Sequence, residues 1–445
     1  MKTADIYTAY MYSYPHKMAY GALAGIQTAD YVNANLRGGL YFHVPFCQHK
    51  CGFCNLFSIT GCTQDFMAAY ITACEAQMQE FGVSAAQFST ATVGGGDPFC
   101  LPLDLFKRLL RLCGTLEIYI EASPNHTTHE KLSLLKAFNL RRLSLGVQSF
   151  VESELQSLKR NHTAQSAKNA LDLIANTRPA CVNIDLIYGI PRQTIASFDH
   201  SLEEALRYAP DEIFIYPLYT RSGTPMEKSA GNPHAYEMYQ HAVKQLTAAG
   251  YTQASMRRFV RDTESATTEP ATTKCTATIP ATTIPTATEA ASPDATATVA
   301  AAKNCGFENM LAIGCGGRSY IGNLHFCHPY ATQRQDCERI ISHFIQAPQK
   351  TAINHGYLLN EDEMKRRFVI KNLLHCQGLS FEAYAQAFNS NATADFPMLL
   401  DFAEKNYATI SHSLIQLTLL GLSLSDYIGP QLISEEVKRR VAAWR

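Results

Sequence analysis

The chain has 445 residues, 46% of them hydrophobic and 17% charged, with 38 Lys and Arg set against 39 Asp and Glu. That length suits a large core and about two domains, and the near-zero net charge excludes a bulk electrostatic case for nucleic acid or an anionic membrane as partner. Met1 to Ala34 lack a basic head followed by an apolar block, and no run of about 18 apolar residues could span a bilayer, so a cytoplasmic protein with no membrane span is expected.

The first stretch with character is Tyr12 to Tyr20, aromatic and broken by Pro15, which reads as an extended arm anchored by its tyrosines. His16 and Lys17 on it could reach an acidic ligand group. Next comes a β-type run, Leu40 to Val44, leading straight into Cys47, Cys51 and Cys54 at C-x3-C-x2-C spacing. Thiolates gathered this closely select an iron–sulfur cluster or zinc over hard cations. A four-iron cluster normally takes four thiolates, so three would leave one iron open for chemistry. Two plainer readings stand beside it: a redox dithiol at Cys51-Gly52-Phe53-Cys54, or a Cys3His zinc site closed by His43 or His49.

From there the chain alternates. Strands are expected at 40–44, 90–93, 117–121, 142–146, 182–187 and 213–217. Amphipathic helices are expected near 64–81, 103–113, 129–138, 163–176, 197–207 and 234–249. Six β-then-α alternations imply a parallel sheet with right-handed crossovers, as an open barrel or a doubly wound sheet. In both, ligands collect at the C-terminal ends of the strands. The unusual residues fall there: the cysteines after strand one, Gly94-Gly95-Gly96-Asp97-Pro98 after strand two, Glu121 ending strand three, Gln148 after strand four, and Asp185 within strand five. A glycine triplet lets backbone N–H groups approach a ligand closely, though it is also a common tight turn. Asp185 in an apolar run must be bonded to a neighbour or face a ligand.

After strand six, Tyr216 to Pro225 forms a loop with substrate-facing potential. Residues 263–302 are then mostly Thr, Ala and Pro, a composition expected to stay disordered. A second glycine turn, Gly314 to Tyr320, precedes helical patterns from about Asn360 and an apolar alternation from Leu414 to Leu424, expected as a small helical cap with a β-hairpin. Cys305, Cys315, Cys327 and Cys337 have no ligand-loop spacing and read as buried thiols. The organisation expected is an arm (1–38), a barrel (39–260), an insertion (261–304), a connection (305–355) and a cap (356–445).

With those pieces in place the chain resembles the radical S-adenosylmethionine (SAM) superfamily, in its oxygen-independent coproporphyrinogen III oxidase-like (HemN/HemW-like) branch. The resemblance is carried, in family order, by Tyr41 to Cys54, Gly94 to Pro98, Glu121 to Pro124, Arg142 to Phe150, Asn183 to Thr194 and Tyr216 to Pro225. It implies an α/β fold, a partial (β/α)6 TIM-like barrel of radical SAM type with the small C-terminal cap. It further implies a [4Fe–4S] cluster on Cys47, Cys51 and Cys54, with SAM on the free iron. Tyr41 would pack near the sulfonium and Phe53 near the adenine. Gly95 and Gly96 would meet the methionine amine, with Asp97 beside them, and Glu121, Gln148, Arg160 and Asp185 would complete the carboxylate and ribose contacts. Read from its own surroundings, Arg160 is an ordinary exposed cation at a helix end.

Three departures bear on the reaction. The oxidase-type loop carries a further cysteine where this chain has Leu56. Asp97 replaces the usual threonine and brings an extra negative charge beside the SAM amine. The heme-chaperone signature keeps only its Asn, at Asn309. The function implied is reductive cleavage of SAM to a 5′-deoxyadenosyl radical by a monomeric oxidoreductase, served by an electron donor such as flavodoxin or ferredoxin. Its small-molecule substrate would be of tetrapyrrole type by kinship. The alternatives are a heme-binding chaperone of HemW type or a radical SAM methyltransferase.

Overall fold

The computed structural model describes residues 6–7, 11, 13–26, 28–33, 35–219, 224–227, 229, 231–262, 309–329, 331–347 and 353–443. The 263–302 insertion, Cys305 and residues 220–223 of the loop after strand six lie outside them.

The six expected strands are present: β1 (Gly39–Val44), β2 (Thr90–Gly95), β3 (Glu117–Ala122), β4 (Leu140–Gln148), β5 (Val182–Tyr188) and β6 (Glu212–Pro217). Each pairs in parallel with the next. Helices α1 (Gln64–Glu80), α2 (Leu103–Leu112), α3 (His129–Leu135), α4 (Glu152–Ser157), α5 (Ala164–Thr177) and α6 (Ile195–Leu206) make the crossovers, and α7 (Ala235–Ala248) follows β6. The helix starts were written locally: the hydroxyls of Thr63, Thr128, Thr163 and Thr194 accept the N–H three residues on, satisfying donors that a helix leaves open.

The two sheet faces differ in chemistry. Leu40, Phe42, Val44, Val93, Ile118, Ile120, Leu143, Leu145, Ile184, Leu186 and Ile213 are buried under the helices in one core. Their neighbours Tyr41, His43, Glu121, Arg142, Asp185, Glu212, Phe214 and Tyr216 alternate with them and therefore point to the other side. A parallel sheet covered on both faces by hydrocarbon would read as continuous apolar runs. The polar inner face is instead the lining of an open barrel. Arg142 and Arg258 both bond Glu212 there, so that two guanidiniums share one buried carboxylate.

The sheet extends beyond the six. After β7 (Tyr251–Gln253) and β8 (Arg258–Arg261), an antiparallel hairpin on the far side of β6, the chain returns as β9 (Met310–Ile313), parallel to β1 on its free edge. β10 (Arg318–Ile321), β11 (Leu324–Cys327) and β12 (His355–Leu358) follow antiparallel, and Gly21–Ala22 of the arm pairs with β12. Thirteen strands result, among the described residues, in an open sheet. β9 is only four residues long, too short a run for periodicity alone to reveal a seventh parallel strand.

Helix α8 (Arg334–Gln346) lies between β11 and β12, and a second core gathers α9 (Glu361–Leu373), the hairpin Ala408–Ile410 with Leu414–Leu417, and the strand Leu379–Ser380. The apolar alternation from Leu414 does not run to Leu424 as a strand: Thr418 caps a short helix, Leu419–Ser423, by accepting the Gly421 N–H. A β-carbon on Gly421 would lie 1.9 Å from the Tyr407 carbonyl, so the hairpin and this helix meet backbone to backbone. Cys315 and Cys337 are fully buried and Cys327 half-buried.

Candidate active site

The cysteine loop grows out of β1. Phe46–Cys47 forms a short strand parallel to Ile59–Thr60, and the backbone of Asp97 bonds the Phe46 carbonyl at 2.8 Å. Gly52 donates to the Leu158 carbonyl and accepts from Met226, while Lys50 Nζ donates to the Thr332 carbonyl at 2.7 Å. A loop without regular structure is thus held in place from four directions.

Its thiols are crowded and desolvated. Burial, reinforced by the neighbouring Cys54 thiol, pushes Cys47 up to about 12, and burial with the nearby Cys51 raises Cys54. Neighbouring thiols such as Cys47 and Cys54 ionise together only if a cationic group takes their charge. Among the described residues, no three His, Cys, Asp or Glu side chains are spaced to hold one metal ion. The two histidines that could have closed a zinc site are committed elsewhere, His43 Nε2 to the Phe57 carbonyl and His49 Nε2 to the Lys159 carbonyl, both at 2.9 Å. Three thiols on one short loop are the donor type that soft metal centres such as iron–sulfur clusters take.

Arg160 reaches this loop from the segment after α4. It donates from Nη1 to Cys51 Sγ at 3.0 Å, from Nη2 to the Gly146 carbonyl at 2.6 Å and from Nε to His162 Nδ1 at 3.3 Å. His162 in turn bonds the Val147 carbonyl. The guanidinium is half-buried and bridges the loop to β4, which the exposed-cation reading did not foresee. β4 is irregular at that point: its register to β5 shifts between Gly146 and Gln148, and Gln148 sits at φ 71°. That left-handed backbone turns the Gln148 amide back over Gly146 beside Arg160.

The glycine triplet is a clearance. Gly95 has φ 109°, and a β-carbon on it would lie 2.5 Å from the His43 ring; one on Gly96 would lie 2.5 Å from the Phe46 carbonyl and 3.0 Å from Cys47 Sγ. Only glycine fits between β2 and the cysteine loop. The Gly95 N–H donates to Glu121 Oε2 at 3.2 Å. Protein surrounds the Glu121 carboxylate, yet it stays open to the lumen. Desolvation, aided by the like charge of Asp185 and opposed by the Gly95 bond, raises it to about 7. Asp185 accepts from Asn183 Nδ2 at 2.8 Å and Ser144 Oγ at 3.3 Å and is raised by the same desolvation.

Asp97 caps the turn Pro98–Cys100 through the Phe99 N–H at 3.0 Å and takes bonds from Ser123 Oγ and His126 Nδ1. His126 Nε2 meets Gln48 of the cysteine loop at 2.9 Å. Its negative charge is therefore engaged by an imidazole, a partner that the sequence signals only by proximity to Glu121. Tyr41 lies deeper, 3.4 Å from His43 Nδ1 through its hydroxyl. Phe53 packs in a small apolar group with Leu158, Ile187, Ile190 and Met226.

Residues 41–205 match the family model described as the Radical SAM superfamily. The heme chaperone HemW of Bacillus subtilis is 23% identical over 89% of this chain and 99% of its own length. HemW of Haemophilus influenzae is 28% identical, but the match spans only 60% of that relative and 48% of this chain. The oxygen-independent coproporphyrinogen III oxidase of Salmonella typhimurium is 27% identical over 86% of this chain and 82% of its own. Among solved structures, coproporphyrinogen III oxidase (HemN) from Escherichia coli superposes with a TM-score of 0.74 at 21% identity, covering 95% of this chain and 96% of that one.

Proposed function

We propose, of a chain that belongs to the radical SAM superfamily through residues 41–205, that it holds a [4Fe–4S] cluster on Cys47, Cys51 and Cys54 and binds SAM against it. Bound together, these groups would supply reductive cleavage of the S–C5′ bond. The chain's own residues position and shield. Arg160 fixes the Cys51 sulfur and adds positive charge beside it. Gly95 and Gly96 leave room for a ligand amine, and Glu121, once deprotonated, offers that amine a carboxylate. Gln148, turned inward at its left-handed backbone, and Asp185 on the next strand offer polar contacts to the carboxylate and ribose. The lumen behind them takes a small-molecule substrate, for which kinship suggests a tetrapyrrole oxidised in the manner of the coproporphyrinogen III oxidases.

The observation that supports this most is the Cys51–Arg160–Gly146 bridge, which ties the three-thiol loop to the ligand-facing bulge of β4. The test is anaerobic reconstitution with iron and sulfide, then SAM and reductant, with chromatography for 5′-deoxyadenosine. Its absence from a fully loaded protein overturns the proposal. A second reading, a heme-binding chaperone, is favoured by the near full-length likeness to HemW of Bacillus subtilis. Heme titration separates the two: a chaperone retains the heme spectrum without consuming SAM.

A further inference from the structure

Glu154 of α4 is buried, and among the described residues it forms no ion pair. Its carboxylate is held by three neutral donors: Ser149 Oγ at 2.6 Å and Gln193 Nε2 at 3.0 Å on Oε2, and Ser197 Oγ at 2.5 Å on Oε1. Their other partners set the direction of these bonds. Gln193 Oε1 accepts the Ile190 N–H at 3.1 Å, which leaves its amide nitrogen to donate, and Ser149 Oγ accepts the Val151 N–H at 3.0 Å, which turns its hydrogen towards the carboxylate. A side chain that only accepts is a carboxylate, and an amide in its place would aim an N–H at a donor. Taking an anion out of water without a cation is costly, so its presence here calls for a reason.

What this carboxylate holds belongs to the candidate active site. Ser149 directly follows Gln148, whose φ of 71° is left-handed, and the Ser149 N–H donates back to the Val147 carbonyl at 2.9 Å. Such a bond closed around a residue of positive φ makes the rare, strained γ-turn, which persists only where its surroundings hold it. Here the Ser149 hydroxyl is bonded to Glu154 and lies 3.3 Å from Ser201 Oγ, which itself takes the Phe150 N–H at 3.0 Å. On the other side of the carboxylate, Gln193 Nε2 also donates to the Ile187 carbonyl at 3.3 Å, and Ile187 and Ile190 pack with Phe53. Glu154 thus joins the backbone behind Gln148 to the backbone of the apolar group at Phe53.

We propose that Glu154 is a positioning residue for the ligand site: it holds the strained turn that presents Gln148, so that SAM affinity depends on a buried carboxylate whose oxygens are already taken by the protein. The proposal rests on the reading of this lumen as a SAM site. A neutral side chain of the same shape leaves a buried donor without its acceptor, and the turn then relaxes towards an ordinary strand backbone that points Gln148 elsewhere.

The test is equilibrium dialysis of SAM against the full-length, cluster-reconstituted protein, anaerobic and without reductant so that no SAM is consumed. Glu154→Gln is expected to weaken binding about tenfold. Gln148→Ala should weaken it too, and the two losses should fall well short of adding in the double variant, because the first acts through the second. Glu363→Gln alters a cap carboxylate that likewise takes hydroxyls, from Tyr14, Tyr357 and Ser434, and should bind SAM as the wild type does. Amide hydrogen exchange over residues 146–151 should quicken in Glu154→Gln and not in Glu363→Gln, a readout that needs no cluster. Should Glu154→Gln fail to fold by circular dichroism, Ser149→Ala replaces it, removing the hydroxyl between Glu154 and the turn, with a loss of several-fold. Losses that add in full, or wild-type affinity and exchange in a folded variant, overturn the proposal. No SAM binding by fully loaded wild type sinks the SAM reading, and the exchange result then decides whether Glu154 holds the turn.

Discussion

Arg160 donates to the sulfur of Cys51 across 109 positions of sequence, at 3.0 Å. A guanidinium so placed fixes the rotamer of the ligand side chain, as outer partners of metal ligands do. Arg160→Ala is expected to lower 5′-deoxyadenosine formation about 10–100-fold while the iron content falls less. An unchanged rate at normal iron loading would remove Arg160 from the site.

Cys51→Ala is expected to abolish both the bound cluster and SAM cleavage. Iron and sulfide assays on anaerobically reconstituted protein, with the electron paramagnetic resonance of the reduced state, report the first. Retention of full SAM cleavage by this variant would end the radical proposal.

Gly96→Ala tests the clearance. A β-carbon 2.5 Å from the Phe46 carbonyl and 3.0 Å from Cys47 Sγ must displace backbone, with overpacking typically costing about 1–3 kcal/mol. We expect a lower midpoint in urea and reduced iron uptake together. Loss of neither would mean that the loop yields freely.

Glu121 gives a pH signature. Its folded value, about 7, lies above the ordinary 4.5, so the folded protein holds a proton that the unfolded chain has released. Stability from this group is full below the ordinary value and is lost as pH rises through about 7. Urea midpoints should fall over that window in the wild type and less so in Glu121→Gln. SAM affinity, needing the carboxylate, should rise over the same window and lose that dependence in the variant. A parallel pH response of wild type and variant would contradict both.

Asp426, fully buried in the cap, accepts from Arg257 and from Tyr219 of the loop after β6, and joins the cap to the barrel. Asp426→Ala leaves a buried guanidinium without its carboxylate, a loss of about 3–5 kcal/mol. Denaturation in urea should show it. A change under about 1 kcal/mol would mean that Arg257 finds water or another partner, as exposed pairs do.

The cysteine loop and the glycine triplet were readable because their chemistry is encoded in consecutive residues, and the six strands because a period of two or 3.6 survives in any window of the chain. Glu121 and Asp185 were readable as polar residues in apolar runs. Arg160 was not readable from its surroundings, since Leu158-Lys159-Arg160-Asn161 looks like any solvated helix end; only the resemblance pointed to it. His126 and Asp97 show the same limit, two ordinary residues that become a pair only when β2 and β3 lie side by side.

Local conformation, the thiol loop and the order of the alternating elements follow from neighbours along the chain, and so are already present in the order of residues. What crosses the chain belongs to the tertiary structure: β9 pairing with β1, the guanidinium on Cys51, and the carboxylate of Asp426 in the cap on Arg257. Such contacts join segments tens to hundreds of residues apart. Their energy depends on distance and burial, and neither is defined until the sheet has assembled.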